Sequence, residues 1–519
     1  MKNSHKLYTL AAFALFFIFY CLIMTQKINF VIADLGRHIK NGEIFVKTHT
    51  VIKTNYYSFT QADFPVVTHH WGSGVIFYEV YKYFGFDGLS VFYAIVSLAA
   101  FLIFFQIARE KGGTLLSVFV SFIFLPLLAD RTEIRPEVFS YFLAGVFFYL
   151  LLLYRENKLR EKYLLFLPLF IILWVNLHIY FFIGILLIGV FFHDALLSLK
   201  FKISKKAIFL LIIFAVSNIA TFINPFGLEG AVAPYLIFKN YGYRVLENQS
   251  VWFLIKTLPY PNYGIFVVLF FLLAASFIFL FLRARDKLST VNLILAMILS
   301  AMAWKAVRNF TLFALFAVPL FTENLVCILP KISLQKFISR VAPIVTGLIF
   351  FIFLLFVTGN LDTVFPKRKL IGTGLLEGIN ESAEFFKKEK IGSPIFNNYD
   401  IGGYLIFHLF PKERVFVDNR PEAYSIPFFQ KTYIPMQEDE NVWQKMDEQY
   451  KFNAIFFSLN DLTPWGQKFL LSRINDSRIW APVFADSYAL IFVKRNSQNA
   501  DIIRSYEIPK ENFRITERK

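Results

Sequence analysis

The sequence is poor in charge, almost devoid of cysteine, and has no low-complexity linker. Of its 519 residues, 17% are Asp, Glu, Lys or Arg, where soluble domains carry about 25%. That shortage excludes an ordinary soluble protein over most of the length. The two cysteines, Cys21 and Cys327, both lie inside apolar runs, so the polar segments have no disulfide framework. The first apolar run, 7–24, lacks a convincing small-residue cleavage site after it, and so reads as a retained helix and not as a signal peptide. No internal repeat is detectable.

What is abundant is apolar and aromatic surface: 56% hydrophobic residues and 19% aromatic. The apolar residues form runs up to about position 360, each of a length suited to crossing a ~30 Å hydrocarbon core. Beyond 360 the pattern is that of a globular domain. Residues 361–519 hold 22 basic and 21 acidic side chains and the first 360 hold 31 and 16, so nearly all of the net charge of +16 belongs to the membrane half. A nucleic-acid binder would place that excess on a soluble domain; here it reads as topology, and no nucleic-acid partner is expected.

Eleven spans are predicted, near 7–25, 86–108, 114–129, 137–154, 163–176, 179–198, 207–223, 263–282, 290–304, 310–329 and 341–359. Six short segments are basic: Lys2/Lys6, Arg109/Lys111, Arg155–Lys162, Lys200–Lys206, Arg283–Lys287 and Lys331–Arg340. If all are cytoplasmic, as the positive-inside rule demands, an even number of crossings separates each pair. Parity then requires a turn at "NLH", 176–178, and another at "WKAVRNF", 304–310. The N-terminus falls inside and the C-terminal part outside. The expected organisation is a polytopic α-helical domain over 1–360, with a large first external loop at 26–85, followed by an extracytoplasmic α/β domain at 361–519. In the latter, strands are expected at 393–398, 413–420, 454–459 and 488–495, with a helix opened by two glycines at 402–410. The Gly-Gly is read as a tight turn needing positive φ, or as a ligand loop. Asp418 and Arg420 are read as lining a cleft or pairing with each other.

With this topology the polar clusters not needed as topology signals converge on the outer face. Asp34 follows the first span directly, in "ADLGRHIKNGEIF". A carboxylate there can act as general base on an acceptor hydroxyl or amine, or hold a divalent cation such as Mg2+ or Mn2+; it can also simply cap a helix. His38 lies one helical turn on, placed to cooperate with it. Arg131 and Arg135, in "DRTEIRPE", and Lys305 and Arg308 are cations suited to phosphate oxygens, and at the bilayer boundary the obvious phosphate is a lipid's. His178, with Asn176 on the same turn, supplies a further donor. Residues 69–85, with Trp71, Phe77, Tyr78, Tyr81, Tyr83 and Phe84, suit an interfacial helix that seats lipid or shapes an acceptor entrance; packing under the loop is the plainer reading.

The succession "DLGRHIKNGE", "SFT", "HHW", "IRPEVFSYF", "LWVNLH", "NPFG" and "VRNF", followed by "NNYDIGGYL" and "VFVDNRPEAY", resembles a bacterial branch of the GT-C glycosyltransferases. These are similar in turn to the dolichyl-phosphate-mannose protein mannosyltransferases and the lipid A aminoarabinose transferases. The resemblance implies an inner-membrane enzyme that moves a sugar, with inversion, from a polyprenyl-phosphate donor to a glycan, lipid or protein acceptor on the extracytoplasmic face. It implies that Asp34 is catalytic. Relatives often carry an acid just before the loop Trp, where this chain has His70; a second carboxylate, Glu247 or Glu137, and any metal are left open. The alternatives are a transporter or flippase of lipid-linked sugars and a non-enzymatic assembly protein. Asp194 and Glu323, within spans, have no assigned role.

Overall fold

In the computed structural model, residues 2–197, 204–236, 239–258, 260–329 and 331–514 are described. The basic positions Lys200 and Lys202 lie outside them. Helices α1 (Lys2–Met24), α2 (Leu35–Thr48), α3 (Trp71–Leu128), α4 (Glu137–Arg155), α5 (Phe166–Leu177), α6 (Phe182–Leu197), α7 (Lys205–Ala220), α8 (Leu228–Leu236), α9 (Val251–Thr257), α10 (Pro261–Arg283), α11 (Thr290–Lys305), α12 (Phe310–Ile328) and α13 (Lys331–Val357) occupy the apolar half. The remainder adds α14 (Glu381–Lys388), β1 (Ile395–Asn397), α15 (Gly402–Leu409), β2 (Ala454–Ser458), β3 (Trp480–Ala485), β4 (Ala489–Lys494) and further short helices. The chain divides into two compact units. One comprises Met1–Lys27, Asp87–Ile237 and Val245–Gly374; the other Ile28–Phe86, Phe238–Arg244 and Leu375–Lys519.

Seven helices among the described residues are long and apolar enough to cross a membrane. The chain is a multi-pass membrane protein. An unbroken α3 of 58 residues would be roughly 87 Å long, nearly three hydrocarbon cores. Left-handed backbone at Gly85 (φ 65) and Gly113 (φ 75) breaks it into three stretches, a conformation that glycine adopts without a Cβ penalty. The helix expected within 69–85 and the spans near 86–108 and 114–129 are those stretches. Counting the two long halves of α3 and the shorter apolar helices α5, α7 and α11, of 12, 16 and 16 residues, each of the eleven expected runs has its helix. The two turns demanded by charge parity are present: His178 (φ −160) ends α5 and Ala306 (φ −151) ends α11.

In the first unit α12 is buried almost throughout, with Leu312, Ala314, Val318 and Thr322 fully enclosed. Val268, Phe271 and Leu282 on α10, and Ile219 on α7, are instead more than 60% exposed, as a lipid-facing surface must be. The two intramembrane acids now have partners. Asp194 lies 2.9 Å from the Arg155 guanidinium. Glu323 accepts from Asn292 at 3.1 Å and faces Lys111 at 3.9 Å. Pairing removes most of the cost of charge at such depth.

The second unit is built on a four-stranded sheet of order β1-β2-β4-β3. The β1–β2 pair is parallel and the others antiparallel. Its core is aromatic: Phe396, Phe416, Tyr424, Phe428, Tyr433, Trp443, Phe452, Phe457, Phe469, Trp480 and Phe492 are buried together. Full burial of each Phe contributes about 2 kcal/mol. The expected strand at 413–420 is absent from the sheet. Its backbone bonds go elsewhere, Val415 N–H to Tyr57 O and Phe59 N–H to Val415 O, both at 3.1 Å, and Phe416 N–H to the Asn397 side chain at 2.8 Å. The segment is apolar because it enters the core, and it pairs with the 54–60 segment instead of a sheet neighbour. Strand β3 carried no separate signal in the sequence; it is recruited by hairpin pairing with β4.

Candidate functional site

Among the described residues, both units carry buried polar clusters. In the first unit three arginines from two separate segments converge on carboxylates. Glu247 Oε2 lies 2.9 Å from both Arg131 Nη1 and Arg135 Nη1, and its other oxygen lies 3.5 Å from Arg308 Nη1. Glu137, opening α4, holds Arg308 Nη2 at 2.6 Å and faces Arg131 Nε at 3.7 Å. Arg135 also pairs with Glu133 at 3.1 Å. Arg308 donates to Asn248 Oδ1 at 2.9 Å and lies over the Tyr180 ring at 6.0 Å. Burial opposes ionisation of Glu247, but Arg135, Arg131 and Arg308 outweigh it and hold the carboxyl well below the usual range.

The other residues expected around the phosphate take different places. His178 is buried inside its turn. Its Nδ1 is 2.8 Å from Ser140 Oγ, which also accepts from Trp174 Nε1 at 2.7 Å. Its ring packs on Tyr180 at 4.7 Å, the ring over which Arg308 lies. Asn176 donates to the carbonyls of Ile172 and Ile223 at 2.7 and 2.9 Å and ties two backbone segments together. Lys305 is exposed at the end of α11.

In the second unit Asp34 sits at the N-cap of α2, with its side chain making no capping bond to the helix and its carboxylate 4.0 Å from Arg37. The start of α15 lies beside the start of α2: a Cβ on Gly36 would stand 2.5 Å from Gly403 O, and one on Gly402 would stand 2.5 Å from Asp418 Cα. Neither glycine of the "GG" pair has positive φ. The two glycines are not the positive-φ turn expected; they let three backbone segments approach. The preceding "NN" is equally structural. Asn397 donates to Val417 O at 2.7 Å, while Asn398 receives Ser458 N–H at 2.8 Å and donates to Asp461 at 3.0 Å. Asp418 and Arg420 pair with each other through two contacts of 2.8 and 2.6 Å, wholly buried.

These brackets fix Asp400, between "NNY" and "IGG". Burial, then the charges of Asp461 and Asp34, push its carboxyl up to about 7. A carboxyl poised there can hold or accept a proton at neutral pH. Nothing in the sequence singled out Asp400, although it belongs to the quoted "NNYDIGGYL". Among the described residues no group of three or more His, Cys, Asp or Glu is arranged to hold a metal ion.

His38 is buried, its ring 5.5 Å from His70 and 6.3 Å from Phe77. Trp71 packs on Phe45 at 4.7 Å, Tyr78 lies against Gly42, and Tyr81 packs on Phe86 and Phe407 at 4.8 and 5.5 Å. All three are half-buried. It is Tyr83 and Phe84, 67% and 70% exposed, that present aromatic surface.

The architecture, apolar membrane-length helices together with a small mixed sheet, is a fold shared with solved membrane proteins. The archaeal oligosaccharyltransferase AglB of Archaeoglobus fulgidus, solved with an inhibitory peptide and a dolichol-phosphate, superposes with a TM-score of 0.59 at 11% identity, over 94% of this chain and 74% of AglB. ArnT of Cupriavidus metallidurans matches at TM-scores of 0.49 in the apo state and 0.47 with undecaprenyl phosphate. Both matches are at 12% identity, over 96% of this chain and 99% of ArnT. No family model and no curated protein matches the sequence.

Proposed function

We propose that the chain is an integral membrane glycosyltransferase that moves a sugar, with inversion, from a polyprenyl-phosphate donor to an envelope acceptor. Transfer takes place on the extracytoplasmic face of the inner membrane, with the N-terminus cytoplasmic and residues 361–519 outside. The observation that carries this reading is the convergence of Arg131, Arg135 and Arg308 from two loop segments within a fold shared with AglB. Guanidinium groups held together against burial match the oxygens of a phosphodiester and stabilise the charge that grows as the carrier phosphate departs. Lys305 adds positive charge near the surface. Asp34 serves as the base that deprotonates the acceptor, and Trp71, Tyr78 and Tyr81 brace the first external segment on which it stands. His38, Asn176 and His178 hold their turns in place. No nucleotide sugar is needed, since the donor is activated on its lipid carrier.

The test is sugar transfer by purified wild type and Asp34→Asn protein in lipid, with a panel of polyprenyl-phosphate sugars. Turnover of one donor by wild type, reduced by about 10²-fold or more in a folded variant, supports the reading. Equal turnover by the variant removes Asp34 from the chemistry.

A further inference from the structure

We propose that Glu247 is a built-in surrogate for the donor phosphate: its carboxylate holds the three arginines in phosphate-binding geometry and is displaced when the carrier binds. The inference rests on the donor-site reading above.

The charge count supports it. Three guanidinium groups face the carboxylates of Glu133, Glu137 and Glu247, so the cluster is neutral only while Glu247 is in place. A polyprenyl-phosphate sugar is a phosphodiester with one negative charge, and exchanging Glu247 for it keeps the balance. When the sugar leaves, the phosphate gains a second charge, and the same arginines then hold it more tightly than they hold a carboxylate.

Donor capacity points the same way. Arg131 is 9% exposed, and its Nε and Nη2 are buried without a hydrogen-bond acceptor, as is Nε of Arg308. A carboxylate has two oxygens and cannot satisfy five N–H groups from each arginine. A phosphodiester has four oxygens arranged in three dimensions, enough to engage the donors Glu247 leaves over.

The exchange needs only a side-chain movement. The segment carrying Glu247 is docked by its neighbours: Asn248 accepts from Arg308 at 2.9 Å and Val307 N–H donates to Gln249 O at 3.3 Å. These contacts leave the Glu247 side chain, 21% exposed, able to rotate outward while the backbone stays. Glu137, at 3% exposure and on a helix, cannot do the same and serves as the permanent counter-charge. Glu247 is therefore a positioning residue, tuning donor affinity through the arginines without touching the reacting atoms.

The experiment measures binding of undecaprenyl phosphate, and separately of inorganic phosphate, to the full-length protein in nanodiscs. Wild type is compared with Glu247→Gln, Glu247→Asp and Arg135→Gln, the last altering the most exposed of the three arginines. Glu247→Gln is expected to bind undecaprenyl phosphate about tenfold more tightly than wild type, because the competing charge is gone. Glu247→Asp, one methylene short of bridging Arg131 and Arg135, tightens binding by a smaller factor and carries the test if the Gln variant does not fold. Tightening for both ligands means the phosphate group alone is recognised; tightening for undecaprenyl phosphate only means the lipid adds to recognition, and either supports the proposal. Equal or weaker binding by both Glu247 variants, with Arg135→Gln also weakened, overturns it and makes Glu247 a brace, while leaving the donor site standing. Arg135→Gln binding as well as wild type, with no effect of either Glu247 variant, overturns the proposal together with the donor-site reading.

Discussion

Gly36 stands against the carbonyl oxygen of Gly403 at the starts of two helices, leaving no room for a methyl group: a Cβ at residue 36 would lie 2.5 Å from that oxygen. The obstructing atom is backbone, so neither helix can yield by a side-chain rotation. Gly36→Ala should lower stability by about 1–3 kcal/mol and displace Asp34, two residues away. Thermal unfolding in detergent and the transfer assay check both effects. A variant with wild-type melting and turnover would show that the two helix starts do not depend on this contact.

Asp400 gives a pH signature. Burial pushes its carboxyl up to about 7 from an ordinary value of 3.8. Because the folded value is raised, the stabilisation by the protonated form is fully present below pH 4 and is lost as pH rises through 7. Asp400→Asn should therefore match wild type near pH 4 and exceed it in stability by about 4 kcal/mol at pH 8. Denaturant titrations at the two pH values decide it, and parallel curves for both proteins would place Asp400 in an ordinary environment.

Arg308 engages Glu137 through Nη2, and Asn248 and Glu247 through Nη1. Lysine offers one point charge in place of a planar fork. Arg308→Lys should lose at least tenfold in carrier affinity while keeping its net charge, and should cost about 2 kcal/mol of stability by stranding part of Glu137. Calorimetric binding beside a melting curve separates the two losses; unchanged affinity would mean charge alone suffices.

The Asp418–Arg420 pair is wholly buried, and Arg420 also donates to Asn55 at 3.0 Å. Arg420→Met leaves a carboxylate enclosed without its partner and should cost about 3–5 kcal/mol, whereas the double change Asp418→Leu with Arg420→Met should recover a large part. Chemical denaturation of the three proteins gives the coupling directly. Equal losses in the single and double variants would show that the pair adds nothing beyond packing.

The helices were legible because lipid imposes a long, uniform pattern, and the positions of Lys and Arg forced the breaks at His178 and Ala306. The same signals say nothing about Glu247, which rides on a loop without periodicity and acquires its role only when Arg131, Arg135 and Arg308 arrive from elsewhere in the chain. Asp400 was hidden in a quoted motif, since its raised pKa comes from burial and from Asp461 and Asp34, both distant in sequence. The 413–420 segment misled for the opposite reason. Its apolar residues do enter a core, but hydrogen bonding to residues 57–59 is a tertiary choice that local pattern does not encode.

The enclosure of α12 bears on how the protein is made. A span sheathed by its neighbours keeps Thr311, Thr322 and Asn324 out of lipid, so it does not need the greasiness of α10. During synthesis, however, such a segment partitions into the bilayer less readily than α10 does. α12 is emitted after α10 and α11, so the helices that pack on it precede it into the membrane.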